Sequence, residues 1–177
     1  MFRAAIIGAT MLGAVACMSP TMAQQQETPP PPCTAEQNTH MDFWVGTWDA
    51  KWVDAEGVEQ HGTNTITKEL GGCMVLEQFD GNPGNNLLGH SISQYVPRLD
   101  AWKQVWMDNQ AGFYPLTGGM EGGDFVLHLD RAHENVPYIR MLFTNISQTS
   151  FDWHWQRSAD EGETWSDSWY IHYTRTE

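Results

Sequence analysis

From Thr47 to Arg175 the chain is a succession of short segments in which apolar and polar side chains alternate, each cut off by a turn signal. A period of two is the pattern of a strand with one buried face. About ten such segments follow one another. They begin with "TWDAKWV" from Thr47, "HGTNTITKEL" from His61, "CMVLEQF" from Cys73 and "LLGHSISQYV" from Leu87. Next come "AWKQVWMD" from Ala101, "GFYPLTGG" from Gly112 and "DFVLHLD" from Asp124. "YIRMLFTNIS" from Tyr138, "SFDWHWQRS" from Ser150 and "TWSDSWYIHYTR" from Thr164 complete the set. The connections are short and rich in Gly, Pro, Asn and Asp ("DGNPGNN", "PRLD", "EGGD", "DEG"), so neighbours in sequence should pair as hairpins. No helical pattern of about 10–15 residues lies between any two segments, whereas a parallel pair needs such a crossover. The expected fold is all-β: an antiparallel up-and-down barrel of about ten strands, with a short helical segment before it.

That earlier segment, Thr34 to Trp44 ("TAEQNTHMDFW"), has Met41, Phe43 and Trp44 available to close over a core. Gln24 to Pro32 ("QQQETPPPP") is polar, then a proline run, which reads as a flexible tether ending in an extended spacer. Met1 to Ala23 has a basic start, a short apolar run and a small-residue exit, the parts of a secretory signal peptide. The apolar run is shorter than the roughly 20 residues a membrane-spanning helix takes, so no transmembrane segment is expected. The chain therefore divides into a signal peptide (1–23), a Pro-rich tether and cap (24–42) and one barrel domain (43–177). "AVAC" ending at Cys17 resembles a poor lipoprotein cleavage box, with Ala14 where leucine is usual, so lipid anchoring through Cys17 is the minor alternative to a periplasmic or secreted protein.

Loss of the leader removes Arg3, and eight basic residues then face 22 acidic ones, one unit more negative than the −13 of the full chain. Such a surface repels phosphate backbones, which argues against nucleic acid as a partner. Cys33 and Cys73 are left, and two cysteines in an oxidising compartment are expected to form a disulfide. Their spacing is not that of a zinc site.

Three blocks, "FWVGTWDAKW" (Phe43 to Trp52), "GTNTITKELGGCMVLEQF" (Gly62 to Phe79) and "YVPRLDAWKQVWMDNQAGFYPLTGG" (Tyr95 to Gly119), come in the order seen in calycins. From Phe43 to its end the chain resembles the lipocalin-like bacterial proteins of unknown function in that group. The resemblance implies a barrel closed at one end around an internal cavity. It also implies a basic residue of the last strand, here Arg175, stacked on the entry tryptophan, here Trp48. A related group, the nitrobindins, binds haem through a histidine late in the chain, but the alternation turns His172 outward. Ala50 and Trp52 also stand where that group's second and third glycines would be. No cofactor is expected.

Alternation sorts the side chains by face. Trp48, Ala50 and Trp52 share an inward face, as do Trp102, Gln104, Trp106 and Asp108. Trp153 and Trp155 point inward, as do Trp169, Ile171 and Tyr173. In "LLGHSISQYV" Leu88, His90, Ile92 and Gln94 share a face opposite Gly89, Ser91, Ser93 and Tyr95, and His90 and Gln94 are placed in the interior. The inferred interior is aromatic, with a few polar groups that would cost about 1–3 kcal/mol each if left without partners. The candidate ligand-binding set is Glu77, His90, Gln94, Gln104, Trp106, Asp108, Trp155 and Tyr173.

Other motifs carry less. "SADEGETW" (Ser158 to Trp165) resembles the Asp-box of sialidase propellers, but one copy and eight basic residues do not make a sialidase; its Asp, Gly and Trp suit a tight hairpin. "HLDRAHE" (His128 to Glu134) straddles a strand end and a loop, so its ligands need not converge, and no metal site is assigned. "GHSIS" lacks the second glycine of a nucleophile elbow. The expectation is an exported barrel that binds a small apolar or amphipathic ligand inside. The alternative is an enzyme of hydrolase, isomerase or lyase type using the same cavity, with His90, Asp108 and Glu77 as acid–base groups.

Overall fold

The computed structural model describes residues 32–176, apart from 132. The expected signal peptide, the expected tether up to Pro31 and Cys17 lie outside the described residues. Ten strands follow in order: β1 (Gly46–Val53), β2 (Glu59–Glu69), β3 (Met74–Asp80), β4 (Leu88–Val96), β5 (Ala101–Asp108), β6 (Phe113–Glu121), β7 (Asp124–Leu129), β8 (Tyr138–Thr144), β9 (Ser150–Ser158) and β10 (Ser166–Arg175). Each pairs antiparallel with the next, and β1 pairs with β10, from Trp48 opposite Arg175 to Lys51 opposite His172. The sheet is thus a closed barrel without a free edge, the arrangement expected from the short hairpins.

The segment before β1 forms two 3-10 turns, Glu36–Thr39 and Asp42–Trp44, which plug one end of the barrel. Phe43 meets Phe125, Phe143 and Phe151 at ring distances of 6.3, 5.7 and 5.9 Å, mostly edge-to-face. Two indoles fix the plug by donating to its carbonyls: Trp48 Nε1 to Trp44 O at 2.8 Å and Trp102 Nε1 to Gln37 O at 3.2 Å. The Arg175 guanidinium lies 4.0 Å over Trp48 and donates to the carbonyls of Phe43 and Val45. The Cys33–Cys73 disulfide ties the arm to the barrel. Cys73 sits just ahead of β3, one residue outside the strand expected to carry it.

The faces agree with the alternation everywhere it was assigned except on β4. There the buried residues are Gly89, Ser91, Ser93 and Tyr95, and Leu88, His90, Ile92 and Gln94 are exposed. His90 and Gln94 are therefore on the outer wall, contrary to expectation, and Leu88 and Ile92 stand 43% and 42% exposed. The reason is volume. A Cβ on Gly89 would run into the indole of Trp106, so this stretch of wall accepts only a small residue, and the pleat then carries Ser91 and Ser93 inward with it.

The "SADEGETW" hairpin is a turn held by its own side chains. Asp160 accepts from the hydroxyls of Ser158 and Thr164 and from the Thr164 N–H, while Gly162 takes φ +96° and donates to Ser158 Oγ. These bonds hold the Asp160 carboxyl down at about 2. Trp165 closes the hairpin with an Nε1 bond to Gly162 O and lies under the Arg140 guanidinium.

Candidate functional site

With one end filled by the plug, the other half of the interior holds a cavity of about 200 Å³. Its walls come from facing strands. β9 and β10 supply Trp153, Trp155 and Trp169; β5 and β6 supply Trp106 and Tyr114; β3 supplies Phe79. The rings brace one another. Trp153 and Trp155 stack 12° apart, Trp169 stands edge-on to Trp153 at 5.6 Å, and Tyr114 meets Trp155 edge-on at 5.4 Å. Indoles locked in this way are a preformed surface, since little side-chain freedom remains to be lost on binding.

Glu77 lies in the wall, deep in the barrel. On β3 the inward positions are Val75, Glu77 and Phe79, so the pleat carries a carboxyl in between two apolar neighbours. It is 5% exposed. One oxygen accepts from Asn64 Nδ2 at 2.8 Å and the other from Ser91 Oγ at 2.6 Å. Burial pushes the Glu77 carboxyl up to about 7 against the opposing pull of the Ser91 and Asn64 hydrogen bonds. Tyr173 beside it is buried too, and its phenol is pushed well above the ordinary value, by burial first and then by the Glu77 charge. Asn64 gives its amide nitrogen to Glu77 and, at 3.5 Å, to Tyr173 Oη, which leaves its own Oδ1 buried without a partner among the described residues.

Asp108 stands at the rim, next to the exposed Gln110. Its Oδ2 accepts from Trp106 Nε1 at 2.9 Å, and its Oδ1 accepts the backbone N–H groups of Gln110 and Gly112. Partial burial raises the Asp108 carboxyl, but those three donors outweigh it and hold the pKa below the ordinary value. The same contacts fix the angle at which Trp106 enters the cavity.

Five of the eight residues singled out from sequence, Glu77, Trp106, Asp108, Trp155 and Tyr173, line this cavity. Gln104 is buried as expected but sits off the cavity wall, bonded to Ser93 Oγ at 2.9 Å. His90 and Gln94 are on the other side of the sheet, so a His90–Asp108 pair inside the barrel does not form. Sequence reasoning missed Phe79 and Tyr114 as wall residues, and Ser91 as the partner of Glu77. Gly89 carried the available signal, because a glycine within a strand often marks close approach by another group. Among the described residues, no group of three or more His, Cys, Asp and Glu side chains is placed to hold a metal ion, and no helix is long and apolar enough to cross a membrane.

No protein-family model and no curated protein matches this chain. The closed ten-stranded antiparallel barrel is consistent with a calycin-like fold.

Proposed function

We propose that the chain is an exported, lipocalin-like protein that binds a small, partly apolar ligand in the half of the barrel opposite the plug. The observation that carries this reading is a buried carboxyl, Glu77, in the wall of an aromatic cavity. A carboxyl in such a place costs stability, and an apolar side chain of similar size would serve a purely structural barrel better. Apolar walls with a few fixed polar groups are the usual make-up of a small-molecule site. An engineered apolar cavity of roughly 150 Å³ takes benzene, so this one suits a ligand with a single ring or a short chain. The Cys33–Cys73 disulfide supports an oxidising compartment, periplasmic or extracellular.

Native mass spectrometry of the mature protein from its own host tests the reading. The expected spectrum carries a small-molecule adduct that leaves on denaturation. A clean protein mass, together with no binding to a panel of aryl amines, phenols and carboxylates, overturns it.

A second reading, proton transfer to or from a ligand in the same cavity, is favoured by the Glu77 carboxyl at about 7, near the value a general acid or base works at. His90 has no part in it. Turnover lost in Glu77→Gln with ligand affinity retained would single out this reading.

A further inference from the structure

The lining is chemically one-sided. Its two ionisable groups other than phenols are both carboxyls, Glu77 and Asp108, and no lysine, arginine or histidine is among the lining residues. Elsewhere the chain supplies its own guanidinium groups to aromatic faces: Arg175 to Trp48, Arg140 to Trp165 and Arg131 to Tyr138. The four indoles of the cavity have no such partner in the lining, and indole faces are the best of the aromatic faces at attracting a cation. Hydrogen-bond capacity leans the same way. Trp106 Nε1 is already committed to Asp108, whereas Glu77, in the wall, accepts one hydrogen bond on each oxygen and keeps unused lone pairs. The site therefore offers acceptors and π-faces, and asks for a donor that carries positive charge.

We propose that the ligand is a small organic ammonium, an aryl or alkyl amine, whose apolar body lies among Trp106, Trp153, Trp155 and Trp169 and whose N–H groups donate to Glu77. This rests on the reading of the barrel as a binding protein and names the chemical class of its ligand. Asp108 at the rim, and the strongly acidic chain as a whole, draw a cation toward the mouth. Inside the cavity the ammonium exchanges water for a carboxylate and aromatic faces, and cation–π attraction grows as the pair is desolvated.

The pairing makes affinity depend on pH in one direction. Of the groups that face Glu77, Asn64 from β2 and Ser91 from β4 do not titrate, and Tyr173 from β10 stays neutral because its phenol is pushed up. Asp108 from β5 stays ionised at neutral pH. Glu77 alone among the lining groups changes charge near neutrality, with its carboxyl at about 7. An ammonium prefers the ionised form, so its affinity rises with pH through that value and then levels off. From about pH 6 to about pH 8 the gain is about tenfold for a group half-titrated near the middle of that interval.

Isothermal titration of the mature protein with three probes that share a phenyl-and-short-chain body tests the proposal: 2-phenylethylamine (cation), 2-phenylethanol (neutral) and 3-phenylpropionate (anion). At about pH 8 the amine is expected to bind at least about tenfold more tightly than the alcohol, and the anion most weakly. The amine should weaken about tenfold on going to about pH 6 while the alcohol does not. Glu77→Gln should bring amine and alcohol to within about threefold of each other and flatten the pH series, with the fold checked by circular dichroism. The pH series on the unaltered protein stands even where that variant folds poorly. Equal binding of amine and alcohol, or preference for the acid, overturns the cation class while leaving the binding reading intact. No binding of any probe overturns the cation class as well, and the adduct in the native mass spectrum then decides whether the binding reading falls with it.

Discussion

The Glu77 carboxylate accepts a 2.6 Å hydrogen bond from the hydroxyl of Ser91, a residue directly opposite it on the neighbouring strand and on the face of β4 that turns away from His90. Glu77 and Ser91 form a buried cross-strand pair, and Asn64 on β2 completes it from the other side. Three adjacent strands thus each commit one inward position to the same polar group, in an interior made mostly of aromatic and aliphatic side chains.

Unfolding free energy should report the titration of Glu77. Its carboxyl moves from an ordinary 4.5 to about 7 on folding, so the native state holds the proton more tightly. The stability tied to the protonated group is fully present below about 4.5 and is lost as pH rises through about 7. Over that window Glu77 should remove about 3 kcal/mol, and a Glu77→Gln variant should lack this fall. Urea unfolding of both proteins at several pH values checks it; curves that stay parallel between about pH 5 and about pH 8 would refute a buried, titrating Glu77.

Gly89→Ala should damage the cavity wall. The added methyl meets the Trp106 indole, which cannot simply swing aside because its Nε1 is bonded to Asp108 at 2.9 Å. Overpacking of this kind costs about 1–3 kcal/mol. Near-ultraviolet circular dichroism should change in the tryptophan region along with the loss of stability, and an unchanged spectrum at unchanged stability would contradict the close approach.

Arg175→Ala should loosen the plugged end. The guanidinium covers Trp48 at 4.0 Å and donates to the carbonyls of Phe43 (3.0 Å), Val45 (2.7 Å) and Gln148 (2.6 Å), so one side chain holds the plug and the β8–β9 turn to the last strand. The expected loss is about 2 kcal/mol. Arg175→Lys should recover less than half of it, because an ammonium lacks the planar fork that reaches three carbonyls while lying on an indole. Equal stability of the lysine variant and the parent in chemical denaturation would argue that the charge alone matters.

Asp160→Ala should fray the "SADEGETW" hairpin and leave the cavity alone. Asp160 is the acceptor for Thr164 N–H and Thr164 Oγ1, and its carboxyl, at about 2, stays ionised until the pH falls through that value. Hydrogen exchange at the Thr164 amide should speed up in the variant while amides of β3 and β4 keep their protection. Faster exchange across the whole barrel would mean that the hairpin supports more than its own turn.

By itself the sequence determined the number of strands, their order and their hairpin pairing. These depend on local alternation and on turn residues, and both act over a few positions. It also pointed to the Cys33–Cys73 pair, which the structure carries, and to Met41, Phe43 and Trp44 as residues that close over the core. The stacking of Arg175 on Trp48 was expected only from the resemblance to calycins, and the pairing of β1 with β10 sets the two residues opposite each other. The inward face of β4 was not. Both of its faces mix polar with apolar residues, so the choice rests on what stands across the interior: the Trp106 indole against Gly89 and the Glu77 carboxyl against Ser91. Nor could alternation say whether the inward tryptophans would fill the barrel or line a space within it. Only the tertiary structure decides that. It is a matter of volume, with Trp44 and Trp48 packed tight at the plugged end and Trp106, Trp153, Trp155 and Trp169 standing around a cavity at the other.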